Sequence, residues 1–197
     1  MKTVCISLRS RPDKWQRVVN EFPKLKLDVT RFDGIPHGIG HIGCIKSHQR
    51  VHGLMRGQNR YMVIEDDIKV LGTLSDLNKS ISQLPKDWDC LYLGATLTKP
   101  LKRYSENLFR LNGGLTTHAI IFNGPEIGRY IIENAFKPDV DWHTQYVDVF
   151  MLDVQDKFNC FITDPMICTQ ASGFSDTCEQ FCNYDIISNS YNEFTKL

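Results

Sequence analysis

The sequence has no apolar run long enough to cross a membrane. A membrane-spanning helix needs about 18 to 20 consecutive, mostly apolar residues, and no stretch of this chain reaches that length. We therefore predict no transmembrane segment. Peripheral association with a membrane stays open.

An excess of charge of either sign is also missing. Lys and Arg together number 23, Asp and Glu also number 23, and the formal net charge at pH 7 is zero. A chain without net charge exerts little long-range attraction on nucleic acid or on an anionic membrane surface. We expect no nucleic-acid partner, and any basic binding patch must be local.

No export signal is recognisable at the N-terminus. Residues 3–8 are typical of a buried strand, and this strand leaves no room before it for the charged, apolar and small-residue segments of such a signal. We therefore expect a cytoplasmic protein.

The cysteines lack the paired spacing of a disulfide framework or a zinc site. They are odd in number, seven in all, and we predict reduced thiols because most lie in apolar segments, where a thiol behaves as a small hydrophobe. These are Cys5, Cys44, Cys90, Cys160 and Cys168. Cys178 and Cys182 could share a helix face or form a local bridge, but neither a second pair nor histidines at zinc spacing accompany them.

What the chain does contain is an alternation of strand and helix patterns. Short apolar runs typical of buried strands alternate with segments of helical spacing, which include residues 42–56 and the segment that follows Pro125. The strand candidates are residues 3–8, 29–32, 61–64, 89–94, 117–122 and 160–163. This alternation predicts an α/β fold. The length of 197 residues favours one domain over residues 1–197.

Three adjacent carboxylates, Glu65, Asp66 and Asp67, follow the apolar strand 61–64. Such carboxylates repel one another and lose solvation energy when buried, so they need a cation or a position in water. Hard oxygen ligands suit Mg²⁺ or Mn²⁺, which keep coordination positions for phosphate oxygens. The alternative is an acidic turn in water, which is the commoner meaning of an isolated acidic triplet.

Two further groups of residues have a structural and a functional interpretation. His48 and His52 lie on the apolar stripe of the helix 42–56, where an imidazole is either a satisfied core residue or part of a site. Arg9 and Arg11 follow the first strand, at the sheet edge where such folds bind nucleotides, and guanidinium groups can bind phosphate bidentately. Alternatively, Arg9 and Arg11 belong to a turn that is simply exposed to water.

Several short motifs occur in the order found in one enzyme family. They are Ile6-Ser7-Leu8 with Arg9 and Arg11, Phe32-Asp33-Gly34, Gly43-Cys44 with Ser47-His48, Val63-Ile64-Glu65-Asp66-Asp67, Asp87-Trp88-Asp89 with Leu91-Tyr92-Leu93-Gly94, Thr117-His118-Ala119, Val147-Asp148 and Phe174-Ser175-Asp176. In this order and spacing the chain resembles glycosyltransferase family 25, which includes the lipopolysaccharide and procollagen galactosyltransferases.

The resemblance implies a GT-A-like nucleotide-binding fold, with a mixed, mainly parallel sheet flanked by helices. It implies that Asp67 ligates a metal directly and that Glu65 contacts the metal or the donor sugar, with Asp66 next to them. The residues at the matching motifs that would contact the donor are Ser7, Leu8, Arg9, Arg11, Asp33, Gly34, His48, Glu65 and Asp66.

An inverting transfer also needs a carboxylate base for the acceptor hydroxyl. Asp148, between Val147 and Val149, is the first candidate, and Asp141 is the second. Both could instead be surface or helix-capping residues. Many enzymes of this fold place a late histidine on the metal, whereas this chain has Gln170 and Asp176 in that region. The third metal contact is therefore undecided at this point.

The activity implied by the resemblance is transfer of a hexose, galactose or glucose, from a UDP-sugar. The acceptor would be a hydroxyl of a glycan, a lipid-linked saccharide or a protein, with inversion and with Mn²⁺ or Mg²⁺ as cofactor. A nucleotidyltransferase or phosphohydrolase is an alternative, although the lysine-rich or P-loop-like phosphate motif expected of one is missing. A further alternative is an inactive module that binds a sugar nucleotide without transferring the sugar.

Overall fold

The helices account for much of the chain in the computed structural model, which describes residues 1–195. They are α1 (Pro12–Glu21), α2 (Gly40–Leu54), α3 (Leu74–Ser82), α4 (Pro125–Asn134), α5 (Val147–Lys157) and α6 (Asp185–Thr195), with short 3₁₀ helices at Phe22–Leu25 and Trp142–Thr144. No helix in this described part is both long and apolar enough to cross a membrane.

The strands alternate with the helices as far as α3, and the later strands come in two groups, six before α4 and four after α5. They are β1 (Lys2–Ser7), β2 (Thr30–Asp33), β3 (Arg60–Glu65), β4 (Ile68–Val70), β5 (Cys90–Tyr92), β6 (Thr96–Leu97), β7 (Lys102–Ser105), β8 (Leu108–Arg110), β9 (Gly114–Leu115), β10 (Ala119–Asn123), β11 (Cys160–Thr163), β12 (Cys168–Gln170), β13 (Gly173–Ser175) and β14 (Gln180–Cys182).

Eight strands form a central sheet in the order β2-β1-β3-β10-β5-β11-β8-β7. The pairings β1–β2, β1–β3 and β5–β11 are parallel, while β10 and β8 are antiparallel to both of their neighbours. Six of the eight strands therefore run in one direction. Three two-stranded ribbons, β4–β12, β6–β9 and β13–β14, complete the strands. The prediction of an α/β fold with a mixed, mainly parallel sheet is confirmed.

The sheet is buried on both faces. Along β3, Tyr61 and Val63 pack into one apolar cluster with residues of α2, α4, α5 and α6. Met62 and Ile64 pack into a second cluster with residues of α1 and α3. Successive side chains of a strand point to opposite faces, so a strand covered by helices on both sides needs a continuous apolar run. This is why residues 61–64 are apolar without interruption.

Local sequence signals explain where some helices begin. Pro125 occupies the first turn of α4, as predicted from its position after the strand. A capping box that was not predicted starts α3: the Thr73 side chain accepts from the Asp76 amide, and the Asp76 carboxylate accepts from the Thr73 amide.

The C-terminal region is more regular than its sequence suggests. The segment from Ala171 onward lacks clear periodicity, yet it forms the hairpin β13–β14 and then α6. In α6, Ile187 and Tyr191 are buried against the core, and two such positions are too few to give a helical pattern. Cys178 and Cys182 lie on the hairpin rather than on a helix, and neither forms a bridge, since all seven thiols are free. The reduced state of the thiols stays a prediction.

Candidate active site

The carboxyl ends of three parallel strands meet at one edge of the sheet. Strand β1 lies between β2 and β3; Ser7 is paired with Asp33, and Ile6 with Glu65. The acidic triplet leaves β3 at this edge. Ligand sites of open α/β sheets form outside the carboxyl ends of parallel strands, so the topology places the triplet where a ligand would bind.

A cavity of about 390 Å³ opens at this edge. This volume is within the range of about 300 to 1,000 Å³ that is common for small-molecule sites. The predicted residues that line it are Leu8, Gly34, Glu65, Asp66, Asp67 and Asp148. The cavity therefore brings together the triplet, the first candidate base and two residues of the predicted donor site.

Other predicted residues lie outside the lining. Ser7 is buried at the end of β1, and its carbonyl accepts from the Gly34 amide over 2.9 Å. Arg9 and Asp33 are exposed, and Asp33 pairs with Arg31. Through this backbone bond Ser7 supports Gly34, which lines the cavity.

Glu65 is held by two side chains of neighbouring elements. Thr117 Oγ1 donates to Glu65 Oε1 over 2.7 Å, and His48 Nε2 lies 3.1 Å from the same oxygen. Burial alone would raise the pKa of Glu65, but the hydrogen bond and charge of His48 and the bond from Thr117 leave it below its usual value. Glu65 is thus a fixed, ionised carboxylate. His48 contacts the acidic triplet and is not part of the cavity lining, so its predicted contact with the donor stays a prediction.

Asp67 is held by Gln170, which comes from β12. Gln170 Nε2 donates to Asp67 Oδ2 over 3.0 Å, and the Ala171 amide donates to the Asp67 carbonyl over 2.7 Å. Burial, followed by repulsion from Glu65 and Asp66, raises the pKa of Asp67 to about 7. The site therefore carries more negative charge than its own cations compensate.

Two buried oxygens of this pair show that the site fits a divalent cation. Asp67 Oδ1 and Gln170 Oε1 have no hydrogen-bond partner among residues 1–195. A buried acceptor without a donor costs roughly 1–3 kcal/mol, and both residues line the cavity. Carboxylate and amide oxygens are the ligands that Mg²⁺ and Mn²⁺ prefer. Gln170 thus supplies an oxygen in the region where the sequence left the third contact undecided.

A softer set of ligand atoms lies beside the triplet. Atoms of Cys44, His48 and Glu65 approach within 4.8 Å of one another, a donor set that would suit zinc. Burial raises the pKa of the Cys44 thiol well above its usual value, and a protonated thiol is a poor metal ligand. The hard oxygens of Asp67 and Gln170 are therefore the better match for a cation.

The two candidate bases occupy different environments. Asp148 is the second residue of α5, lines the cavity and accepts from the Val149 amide over 2.9 Å. Burial raises the pKa of Asp148, which makes its carboxylate a better proton acceptor. Asp141 is exposed outside the cavity, where Oδ1 accepts from the His143 amide over 3.0 Å. It caps the 3₁₀ helix at Trp142–Thr144.

Sequence reasoning missed one cation of the site. Lys14 of α1 lines the cavity at 8% exposure, and its Nζ lies 2.6 Å from Asp176 Oδ2. Arg11 Nη1 lies 2.5 Å from the same oxygen. A lysine on an amphipathic helix is usually solvated, so the residue type of Lys14 gave no reason to expect it in the site. Its spacing of three residues from Arg11 is the only signal that could have found it.

Comparisons with known proteins support the fold. No family model matches the sequence, and no curated protein matches it. Among solved structures, the protein is similar to A197 from STIV, with a TM-score of 0.53 and 10% identity over 92% of this chain and 93% of that one. A likeness at this identity shows a shared fold and nothing about activity.

Weaker likenesses are to transferases. One is to a glycosyltransferase involved in glycosylation of the major capsid of PBCV-1, at TM-score 0.45 and 10% identity over 83% of this chain and 92% of that one. Another is to a putative glucose-1-phosphate thymidylyltransferase from Bacillus anthracis, at TM-score 0.47 and 12% identity over 85% of this chain and 70% of that one. At these TM-scores neither likeness carries an argument for function.

Proposed function

We propose that this protein is a glycosyltransferase that moves a hexose from a UDP-sugar to an acceptor hydroxyl, with inversion and with a divalent cation. The observation that carries the proposal is one cavity at the carboxyl edge of the sheet that contains both the acidic triplet and Asp148. The motif order shared with glycosyltransferase family 25 supports the choice of reaction. We propose one catalytic domain over residues 1–197, acting in the cytoplasm.

The acidic triplet binds the donor through a cation. Asp67 and Glu65 would hold Mn²⁺ or Mg²⁺, with Gln170 Oε1 as a further oxygen. When bound, such a cation neutralises the negative charge that develops on the departing diphosphate. Thr117 and His48 keep Glu65 oriented, so its carboxylate needs little rearrangement when the donor arrives.

Asp148 serves as the base in this proposal. The acceptor oxygen forms a bond to the anomeric carbon while the bond from that carbon to the diphosphate oxygen breaks, and UDP leaves. The acceptor proton passes to the Asp148 carboxylate. General-base catalysis of this kind contributes about 10²- to 10⁴-fold. Partial burial suits Asp148 to this step, because it raises the affinity of the carboxylate for a proton.

A ligand panel tests the donor half of the proposal. Thermal unfolding is followed with UDP, GDP and their hexose derivatives, each with Mn²⁺ and with EDTA. We expect the largest stabilisation from UDP-galactose or UDP-glucose in Mn²⁺, and its loss in EDTA. The absence of a shift with every sugar nucleotide would refute the proposal.

Product analysis tests the chemistry. The protein is incubated with the donor that binds best and an array of glycans, lipid-linked saccharides and peptides, and the anomeric configuration of the product is read by NMR. We expect a glycoside of inverted configuration. Release of pyrophosphate or of free phosphate without glycoside would instead indicate a nucleotidyltransferase or phosphohydrolase, and binding without any turnover would indicate an inactive module.

A further inference from the structure

The C-terminal hairpin β13–β14 reaches over the cavity and carries a carboxylate between two cations. Asp176, in the turn of the hairpin, places Oδ2 at 2.5 Å from Arg11 Nη1 and 2.6 Å from Lys14 Nζ. Lys14 and Asp176 both line the cavity that holds the acidic triplet. One oxygen that joins two cations in a ligand cavity occupies the position that a phosphate oxygen would take.

The charge of the cavity makes this carboxylate a competitor of an anionic ligand. The cavity is lined by five carboxylates, those of Glu65, Asp66, Asp67, Asp148 and Asp176. Among the described residues, Lys14 is the only lysine or arginine in the lining. A diphosphate entering this space meets strong repulsion unless a carboxylate leaves. Asp176 is the one attached to a hairpin rather than to the end of a buried strand or to a long helix.

The hairpin is attached in a way that permits movement. Its cross-strand pair, Phe174 and Phe181, is 51% and 72% exposed, so the hairpin tip has little apolar anchorage. Over the cavity the backbone packs closely on α2, where a Cβ at Gly40 would lie 2.2 Å from the Asp176 carbonyl oxygen. Segments with few buried apolar contacts open at low free-energy cost. Two attachments of the tip are thus the ion pairs of Asp176 and the backbone contact with Gly40.

We propose that Lys14, which lines this cavity, and Arg11, which shares the Asp176 oxygen with it just outside the lining, form a diphosphate subsite, and that Asp176 occupies the subsite until a diphosphate displaces it and releases the hairpin. The inference rests on the proposed function for the identity of the donor, but it concerns diphosphate binding itself. The proposal also explains why Lys14 is buried. Its ammonium group faces an anion both when Asp176 occupies the subsite and when a diphosphate does.

Calorimetric titration with inorganic pyrophosphate in Mg²⁺ buffer tests the subsite. Lys14→Met should weaken pyrophosphate binding at least tenfold, and Lys14→Arg, which keeps the charge, should retain most of it. Asp176→Asn should tighten binding about three- to tenfold because the competing charge is gone. Asp13→Asn is the matched control: Asp13 also pairs with Arg11, but from the solvent side with 62% of its side chain exposed. The affinity of Asp13→Asn for pyrophosphate should stay within twofold of that of the unmodified protein.

Hydrogen exchange tests the release of the hairpin. Pyrophosphate should speed amide exchange in residues 173–182 of the unmodified protein, and this increase should be absent in Asp176→Asn. Weaker binding by Asp176→Asn, unchanged binding by Lys14→Met, or no pyrophosphate binding by the unmodified protein would each overturn the inference.

The inference and the proposed function fail separately. Pyrophosphate binding with this pattern but no sugar transfer would refute the function and keep the subsite. Sugar transfer with an unchanged donor KM in both Lys14→Met and Asp176→Asn would refute the subsite and keep the function.

Discussion

Gln170 faces Asp67 with its amide nitrogen, 3.0 Å from Oδ2, and this contact leaves Asp67 Oδ1 and Gln170 Oε1 without partners within residues 1–195. The orientation of the amide is dictated by charge, since Oε1 in place of Nε2 would repel the carboxylate. Two residues that are 103 positions apart thus place two unpartnered oxygens in the wall of one cavity.

We predict that Asp67→Asn stabilises the protein and abolishes its response to metal. The change removes a buried charge beside Glu65 and Asp66 and supplies an N–H that can donate to Gln170 Oε1. The free energy of unfolding in EDTA should rise by roughly 1–3 kcal/mol, and stabilisation by UDP with Mn²⁺ should disappear. Denaturant unfolding and thermal shift measure the two effects.

Asp156→Asn is the control for Asp67→Asn, because Asp156 is an exposed aspartate of α5. It should change neither the free energy of unfolding nor the metal response. Retention of manganese-dependent binding in Asp67→Asn would show that the cation site lies elsewhere.

Asp148→Asn should separate donor binding from transfer. Asparagine keeps the size of the side chain but cannot take the acceptor proton, so the transfer rate should fall about 10²-fold or more. Donor affinity should stay within threefold. Initial rates and calorimetry measure these quantities in parallel. Asp141→Asn is the comparison, and we expect near-normal transfer because Asp141 is exposed outside the cavity. The reverse pattern would make Asp141 the base.

Stability should depend on pH through His52. This histidine is 2% exposed, lies 2.7 Å from the Tyr61 hydroxyl through Nδ1, and has its pKa lowered to about 3 by burial and the nearby charge of His48. The unfolded chain binds a proton at His52 below about pH 6.5, whereas the folded protein does not until about pH 3. Stability is therefore lost as the pH falls through this window, by up to about 1.4 kcal/mol per pH unit.

The variant His52→Gln keeps a hydrogen-bonding group near Tyr61 but does not titrate. Urea unfolding between pH 6.5 and pH 4 should give a shallower loss of stability for this variant than for the unmodified protein. His143→Gln, at an exposed histidine, should keep the original slope. Identical slopes for all three proteins would remove His52 from the acid sensitivity.

Alkylation should distinguish the thiols by burial. Cys178 is exposed, while Cys44 and Cys182 are partly buried. Iodoacetamide under native conditions should modify Cys178 first, as read by peptide mass spectrometry. The fully buried thiols of Cys5, Cys90, Cys160 and Cys168 should react only after denaturation. Rapid native modification of any of these four would contradict the packing of the central sheet and its helices.

Much of the fold could be predicted because its central strands are buried on both faces. Residues 61–64 and 160–162 are uninterrupted apolar runs, and both correspond closely to strands, β3 and β11. The edge strand β7 and the ribbons, such as β6 and β9 with two residues each, could not be predicted. Strands of this length have no period of their own and exist only through their partners.

Some residues of the candidate site could likewise be identified from the sequence, and others could not. Glu65, Asp66 and Asp67 were identifiable because three charges directly follow an apolar run, and a strand that ends in charges ends at an edge of the sheet. Gln170 was noticed only as a late polar residue, and its contact with Asp67 was not predictable. The pairing of β12 with β4 creates that contact, and pairing between segments so far apart leaves no local pattern.

The sequence by itself determined the main apolar strands, the helices between them and the acidic edge of β3, because each depends on residues adjacent in the chain. The tertiary structure alone decided that Asp148 shares a cavity with the triplet, that Asp141 does not, and that Lys14 and Arg11 meet Asp176. These are contacts between distant segments. They depend on how helices and hairpin pack on the sheet, and the free energy of that packing is spread over the whole core.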